Sequence, residues 1–121
     1  MVNTLIKENS IVADGYKVKY NPETKTINFH GSLRLNGSDE YSPILQLLND
    51  AVDISPSAIT LNLEKLEFLN SSGINALSKF VISMRKKQVE VIVQGSKKFP
   101  WQSKSLKNLQ RLLPSLKLEI N

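Results

Sequence analysis

Cysteine is absent from the 121 residues, so the chain can form no disulfide, no thiolate metal site and no cysteine nucleophile. Histidine occurs once, at His30, which leaves any Ser-His arrangement or multi-histidine metal centre with a single member. His30 sits in an alternating strand pattern, where an ordinary edge or core histidine is the simpler reading. Asp and Glu are scattered, without the close pairing of general acid–base catalysis or the spacing of a calcium loop. Gly31, Gly37 and Gly73 match neither phosphate-loop nor dinucleotide patterns. The chain is therefore expected to have no catalytic residue, no metal and no cofactor. No apolar run approaches the roughly 18 residues that cross a bilayer, and Met1–Glu8 lacks the apolar stretch of a secretory leader. A cytoplasmic protein without a membrane partner is the expectation.

What is present is an ordinary globular composition, 40% apolar and 22% charged, with room for one domain. The net charge is +5, and it is unevenly placed. Residues 85–121 hold nine Lys or Arg against Glu90 and Glu119, whereas residues 1–84 hold seven bases and nine acids. Such asymmetry suits an anionic partner, protein or nucleic acid, although basic runs also simply solvate helix ends. Lys97-Lys98-Phe99-Pro100-Trp101 interleaves cations with aromatics, the mix that binds single strands, and Lys104, Lys107 and Arg111 share one helical face. A nucleic-acid-binding domain using this basic C-terminal third is the alternative reading, with no recognised motif behind it.

Periodicity orders the chain. Tyr16–Tyr20 and Thr26–His30 alternate, and Asn21-Pro22-Glu23-Thr24 between them is a turn, which predicts a hairpin over 16–30. Ile44, Leu47, Leu48, Ala51 and Val52 form one helical stripe, with Pro43 in the first turn and Ser42 or Ser38 as cap. Ala58–Leu63 reads as a strand with Ile59, Leu61 and Leu63 on one face. Ile74, Leu77, Val81 and Met84 keep helical spacing up to Arg85-Lys86-Lys87, whose cations suit a helix C-terminus. Val89–Val93 is a strand, about 103–113 a third helix closed by Pro114, and Leu116–Ile120 a last strand. The order β-β-α-β-α-β-α-β predicts an α/β fold, a mixed sheet of about five strands covered by three helices. About residues 1–14 are expected as an N-terminal extension of this single domain.

Leu61 to Ile74 reads strand, short acidic loop, Asn70-Ser71-Ser72-Gly73, helix. A serine there is first of all an N-cap for the amides of the first turn. A phosphate on it would also meet the positive helix end and free N–H groups, and its charge of about −1.5 to −2 would be felt by whatever docks there.

This segment resembles the anti-sigma factor antagonists, the STAS domains. The resemblance is carried by the apolar strand ending in Asn62-Leu63, the acidic loop, Phe68-Leu69 and then Ser71-Ser72-Gly73 before a helix. Phe29-His30-Gly31-Ser32-Leu33 extends it, and the element order carries it over about residues 16–120. It implies a bacterial partner-switching protein that binds an anti-sigma factor or related serine kinase. By that resemblance the kinase phosphorylates Ser71 and so breaks the complex, and a serine phosphatase restores it. Asn70 and Ser72 would shape the helix mouth, Gly73 would allow close approach of a partner, and Asn75 would complete the contact surface. The family's usual aspartate is Asn70 here, one charge fewer beside the acceptor. Monomer and homodimer both remain open.

Overall fold

A computed structural model describes residues 10–121. Six strands lie in sequential order in one mixed sheet: β1 (Ser10–Ala13), β2 (Tyr16–Asn21), β3 (Thr26–Leu33), β4 (Ala58–Leu69), β5 (Glu90–Gly95) and β6 (Lys117–Ile120). The first three are antiparallel; β3 to β6 run parallel. Each parallel step carries a helix, as parallel strands require a long crossover: α1 (Gly37–Ile54), α2 (Ser71–Lys87) and α3 (Pro100–Leu112).

The expected hairpin forms, and its turn is stabilised as its residues suggest, with the Asn21 side chain accepting the Glu23 N–H at 3.0 Å. Beyond the expected five strands, residues 10–13 pair with β2. These four fall in the segment expected as an extension; residues 1–9 lie outside the described residues.

One face of the sheet is apolar. Val18, Ile27, Phe29, Ile59, Leu61, Leu63, Val91 and Val93 are buried on it against Leu48, Leu77, Val81, Met84 and Leu106 of the helices. Alternate residues on the opposite face, such as Asn28, His30, Thr60 and Asn62, stay partly exposed. The helices thus cover one side only. Among the described residues no helix is long and apolar enough to cross a membrane.

Three boundaries differ from expectation. Helix α1 begins at Gly37 with Asn36 as N-cap, so Pro43 lies inside the helix and neither Ser38 nor Ser42 caps it. Its start is held instead by Glu40, whose carboxylate accepts the Asn36 N–H at 2.9 Å. Helix α3 starts at Pro100, a residue that suits a first turn because its missing N–H would be unpaired there anyway. The acidic stretch 64–69 is strand, not loop: β4 continues to Leu69 through two register shifts against β3. These irregularities broke the alternation and hid the strand. At the first, the Asn62 side chain accepts the Glu64 N–H at 3.0 Å.

The second half of β4 outruns β5, which pairs only with Ala58–Asn62. Its carbonyls on that side are taken by two side chains of α3. Gln102 Nε2 donates to the Leu63 and Leu66 carbonyls at 2.7 and 3.0 Å, and Trp101 Nε1 donates to Glu67 at 2.9 Å. Gln102 Oε1 accepts the Ser96 N–H at 2.7 Å. Buried polar groups are costly unless paired, and Gln102, fully buried, is paired at both ends.

Candidate functional site at the mouth of helix α2

Strand β4 ends at Leu69, and Asn70, rather than the serine expected there, is the N-cap of α2, with extended backbone angles. Its side chain makes three hydrogen bonds. Oδ1 accepts the Gly73 N–H at 3.0 Å and the Tyr41 hydroxyl at 2.7 Å, while Nδ2 donates to the Leu35 carbonyl at 2.8 Å. Its backbone N–H donates to Leu33, and its carbonyl accepts from Ile74. Asn70 therefore ties together the ends of β3 and β4 and the first turns of α1 and α2. Burial pushes the Tyr41 hydroxyl above the usual tyrosine pKa, so it stays a protonated donor at neutral pH.

The amide supplies something a carboxylate lacks. An aspartate could accept from Gly73 and Tyr41, but it has no N–H for Leu35. The asparagine at this position thus comes with an acceptor, Leu35, matched to it.

The four neighbours expected to act at the site separate into distinct environments. Ser71, the first residue of α2, is exposed. Ser72 is half-buried, and its Oγ accepts the Gly37 N–H at 3.3 Å, so the N-terminal ends of α1 and α2 touch. Asn75 is exposed one turn further along α2. With Ser72, Gly37, Ser38, Leu45 and Lys79 it lines a groove of about 200 Å³ between the two helices. Gly73 is buried and faces inward: a Cβ there would run into the Leu69 side chain and come within 2.7 Å of the Tyr41 hydroxyl. The close approach it permits is that of its own core. Of the expected set, Ser71, Ser72 and Asn75 reach the surface, with Asn70 beneath them.

Sequence reasoning missed Tyr41 and Gln102, one beneath Asn70 and the other bracing the strand that leads to it. Tyr41 sits just before the stripe that begins at Ile44, and no local pattern marks Gln102 as buried. The aromatics of the basic C-terminal third are only half-exposed; Trp101 packs against the core with its N–H bonded to Glu67. Among the described residues no group of three or more His, Asp or Glu could hold a metal ion.

This sheet order, with a serine-bearing helix following the central strand, defines the class. Residues 20–114 match the model of the STAS domain, and the chain belongs to that family. Its fold is similar to apo-SiaC from Pseudomonas aeruginosa, with a TM-score of 0.69 and 11% identity over 88% of this chain and 90% of that one. A chain in the structure of the diguanylate cyclase SiaD in complex with its activator SiaC, from the same organism, matches with a TM-score of 0.66. Identity there is 9% over 88% and 92% of the two chains. No curated protein matches the sequence.

Proposed function

We propose that this chain is a non-catalytic regulatory domain that docks a signalling protein at the mouth of α2 and is released when Ser71 is phosphorylated. The observation that carries this is the contrast within one turn of chain. Asn70, Ser72 and Gly73 are committed to internal contacts, and Ser71 alone of the four is exposed. A phosphate on its Oγ stands at the positive end of α2, beside amides that have no intrahelical acceptor. It is therefore tolerated by the fold and opposed by a docked surface that excludes water.

In the anti-sigma factor antagonist form of the reading, the partner is an anti-sigma factor or serine kinase. The Ser71 oxygen attacks the γ-phosphorus of ATP held by that kinase, ADP leaves, and the hydroxyl proton passes to a base on the kinase. A serine phosphatase returns the free hydroxyl. The likeness to SiaC, an activator of a diguanylate cyclase, favours a second form, in which the partner is an effector enzyme. Both forms use the same surface: Ser71, Ser72 and Asn75, held by Asn70. The half-exposed Trp101, bonded to Glu67, weighs against the nucleic-acid alternative at the C-terminal third, since stacking needs a free ring face.

The test is capture from lysate of the source cells with immobilised wild type, Ser71→Ala and Ser71→Asp, beside phosphosite mapping after incubation with ATP. Ser71→Ala is expected to retain the captured protein and Ser71→Asp to lose it. The melting temperatures should stay within about 4 °C, because a negative charge is favourable at a helix N-terminus. Equal capture by Ser71→Asp would end the switch.

A further inference from the structure

The sheet face away from the helices carries a cluster of cations unrelated to Ser71. Lys17 on β2 lies opposite His30 on β3, and His30 lies opposite Lys65 on β4. Neighbouring strands are about 4.8 Å apart, so the three form a row about 10 Å long across the sheet. Lys19, two residues from Lys17, faces Asn28, which in turn accepts from Asn62 Nδ2 at 2.9 Å. Lys17, Lys19, Asn28 and His30 help line an open depression of about 450 Å³.

Like charges set across neighbouring strands destabilise a sheet, and proteins ordinarily interleave carboxylates among them. Among the described residues none is interleaved in this row. Among the described residues the one ion pair is Lys117–Glu90, at the β5–β6 side of the sheet. Glu64 is turned toward Asn121, whose Nδ2 it accepts at 2.9 Å. His30 shows the resulting field: burial lowers its pKa, and Lys17, Lys65 and Lys19 lower it further.

We propose that this open face is a docking surface for an acidic, carboxylate-rich segment of a protein partner, gripped by Lys17, Lys19 and Lys65 with His30 and Asn28 between them. Charge complementarity selects an anion, and the neighbouring side chains select its kind. A single-stranded nucleic acid draws much of its affinity from stacking on aromatic platforms. The exposed aromatic at the far end of β4, Phe68, already carries the Arg34 guanidinium 4.6 Å from its ring centre, and Tyr20 is buried in the core. A lipid surface calls for a broad apolar wedge, whereas the next row of the sheet is Lys19, Asn28 and Asn62. Among the described residues, a large apolar neighbour is Val12, which is 71% exposed and in register with Lys17. That ledge fits a single apolar side chain of a peptide beside its carboxylates. A bound carboxylate would also favour the protonated imidazole, making His30 a further cation of the row.

The test uses fluorescence polarisation of the whole chain against a labelled oligoglutamate peptide and, separately, a labelled oligothymidylate, both in low-salt buffer. The peptide should bind the wild type. Lys17→Glu/Lys65→Glu should weaken it by about tenfold or more, the scale of one lost charged contact. Lys104→Glu/Lys107→Glu, with the same change in net charge on α3, should leave it within about twofold, as should Ser71→Asp, which keeps this surface separate from the α2 mouth. A pH series from about 7.5 to 5.5 should strengthen binding as His30 protonates, and His30→Gln should flatten that dependence. Circular dichroism shows whether the Lys17→Glu/Lys65→Glu variant is folded, and Lys17→Gln/Lys65→Gln repeats the test with a milder change. No binding by the wild-type chain, equal losses in the α3 variant, or tighter binding of the oligonucleotide than of the peptide would each overturn the proposal.

Discussion

The Tyr41 hydroxyl and the Gly73 N–H converge on one atom, Asn70 Oδ1, at 2.7 and 3.0 Å. The side chain that caps α2 is thereby also the tether of α1, and neither helix can shift at its N-terminal end without disturbing the other.

Asn70→Ala removes three side-chain hydrogen bonds and leaves the Tyr41 donor and the Leu35 acceptor unpaired. A lost cap costs about 1 kcal/mol, and stranded partners raise the total to about 3 kcal/mol. Asn70→Asp keeps both bonds to Oδ1 and loses only the one to Leu35, so about 1 kcal/mol is expected. At about 4 °C per kcal/mol for a chain of this size, thermal melts separate the two variants. A double-mutant cycle of Asn70→Ala with Tyr41→Phe should show coupling of about 1 kcal/mol.

Gly73→Ala places a methyl against Leu69 and the Tyr41 hydroxyl. Overpacking of this kind costs about 1–3 kcal/mol. Combining it with Leu69→Ala, which empties the space the methyl enters, should yield a double variant more stable than the sum of the two single losses. Urea denaturation measures this directly. Simple additivity would mean that the steric account of Gly73 is wrong.

Gln102→Leu retains much of the side chain's volume and removes all three of its hydrogen bonds. Two carbonyls of β4 and the Ser96 N–H then lie unpaired, with a cost of about 3 kcal/mol. Amide exchange should accelerate over 63–69 more than over 58–62, where β5 still pairs with β4.

His30 should make stability fall toward acid. Its folded pKa lies below the ordinary 6.5 through burial and then through Lys17, Lys65 and Lys19. The unfolded chain therefore takes up a proton first as pH drops, and the stabilisation present above about pH 6.5 is lost as pH falls through the folded value. His30→Gln should flatten this part of the profile of melting temperature against pH. An unchanged profile would show that the cations do not act on His30.

The elements with one regular period were legible: the hairpin, the Ile44–Val52 stripe, α2 and β5 all follow from spacing alone. The irregular second half of β4 was not, because its register shifts interrupt the alternation from Leu63 onward. Pro43 misled the reading of α1 by looking like a first-turn residue, when Glu40 and Asn36 had already started the helix. At the site, Ser71 and its helix were visible in the sequence. The reason that Asn70 suits its place was not, since its partners Tyr41 and Leu35 lie 29 and 35 residues away. The resemblance assigns Gly73 to close approach of a partner; in the structure it is its own leucine and tyrosine that approach it.

The bonds from Gln102 and Trp101 to β4 have a consequence for communication within the molecule. The strand segment that delivers Asn70 and Ser71 owes its order on one side to the opening turn of α3 rather than to a neighbouring strand. Fraying of that turn releases the approach to the α2 mouth while leaving the central pairing of β4 with β5 intact. A ligand that clamped or loosened the start of α3 would thus change the entropy cost of the docking proposed at Ser71, from a distance and without touching it.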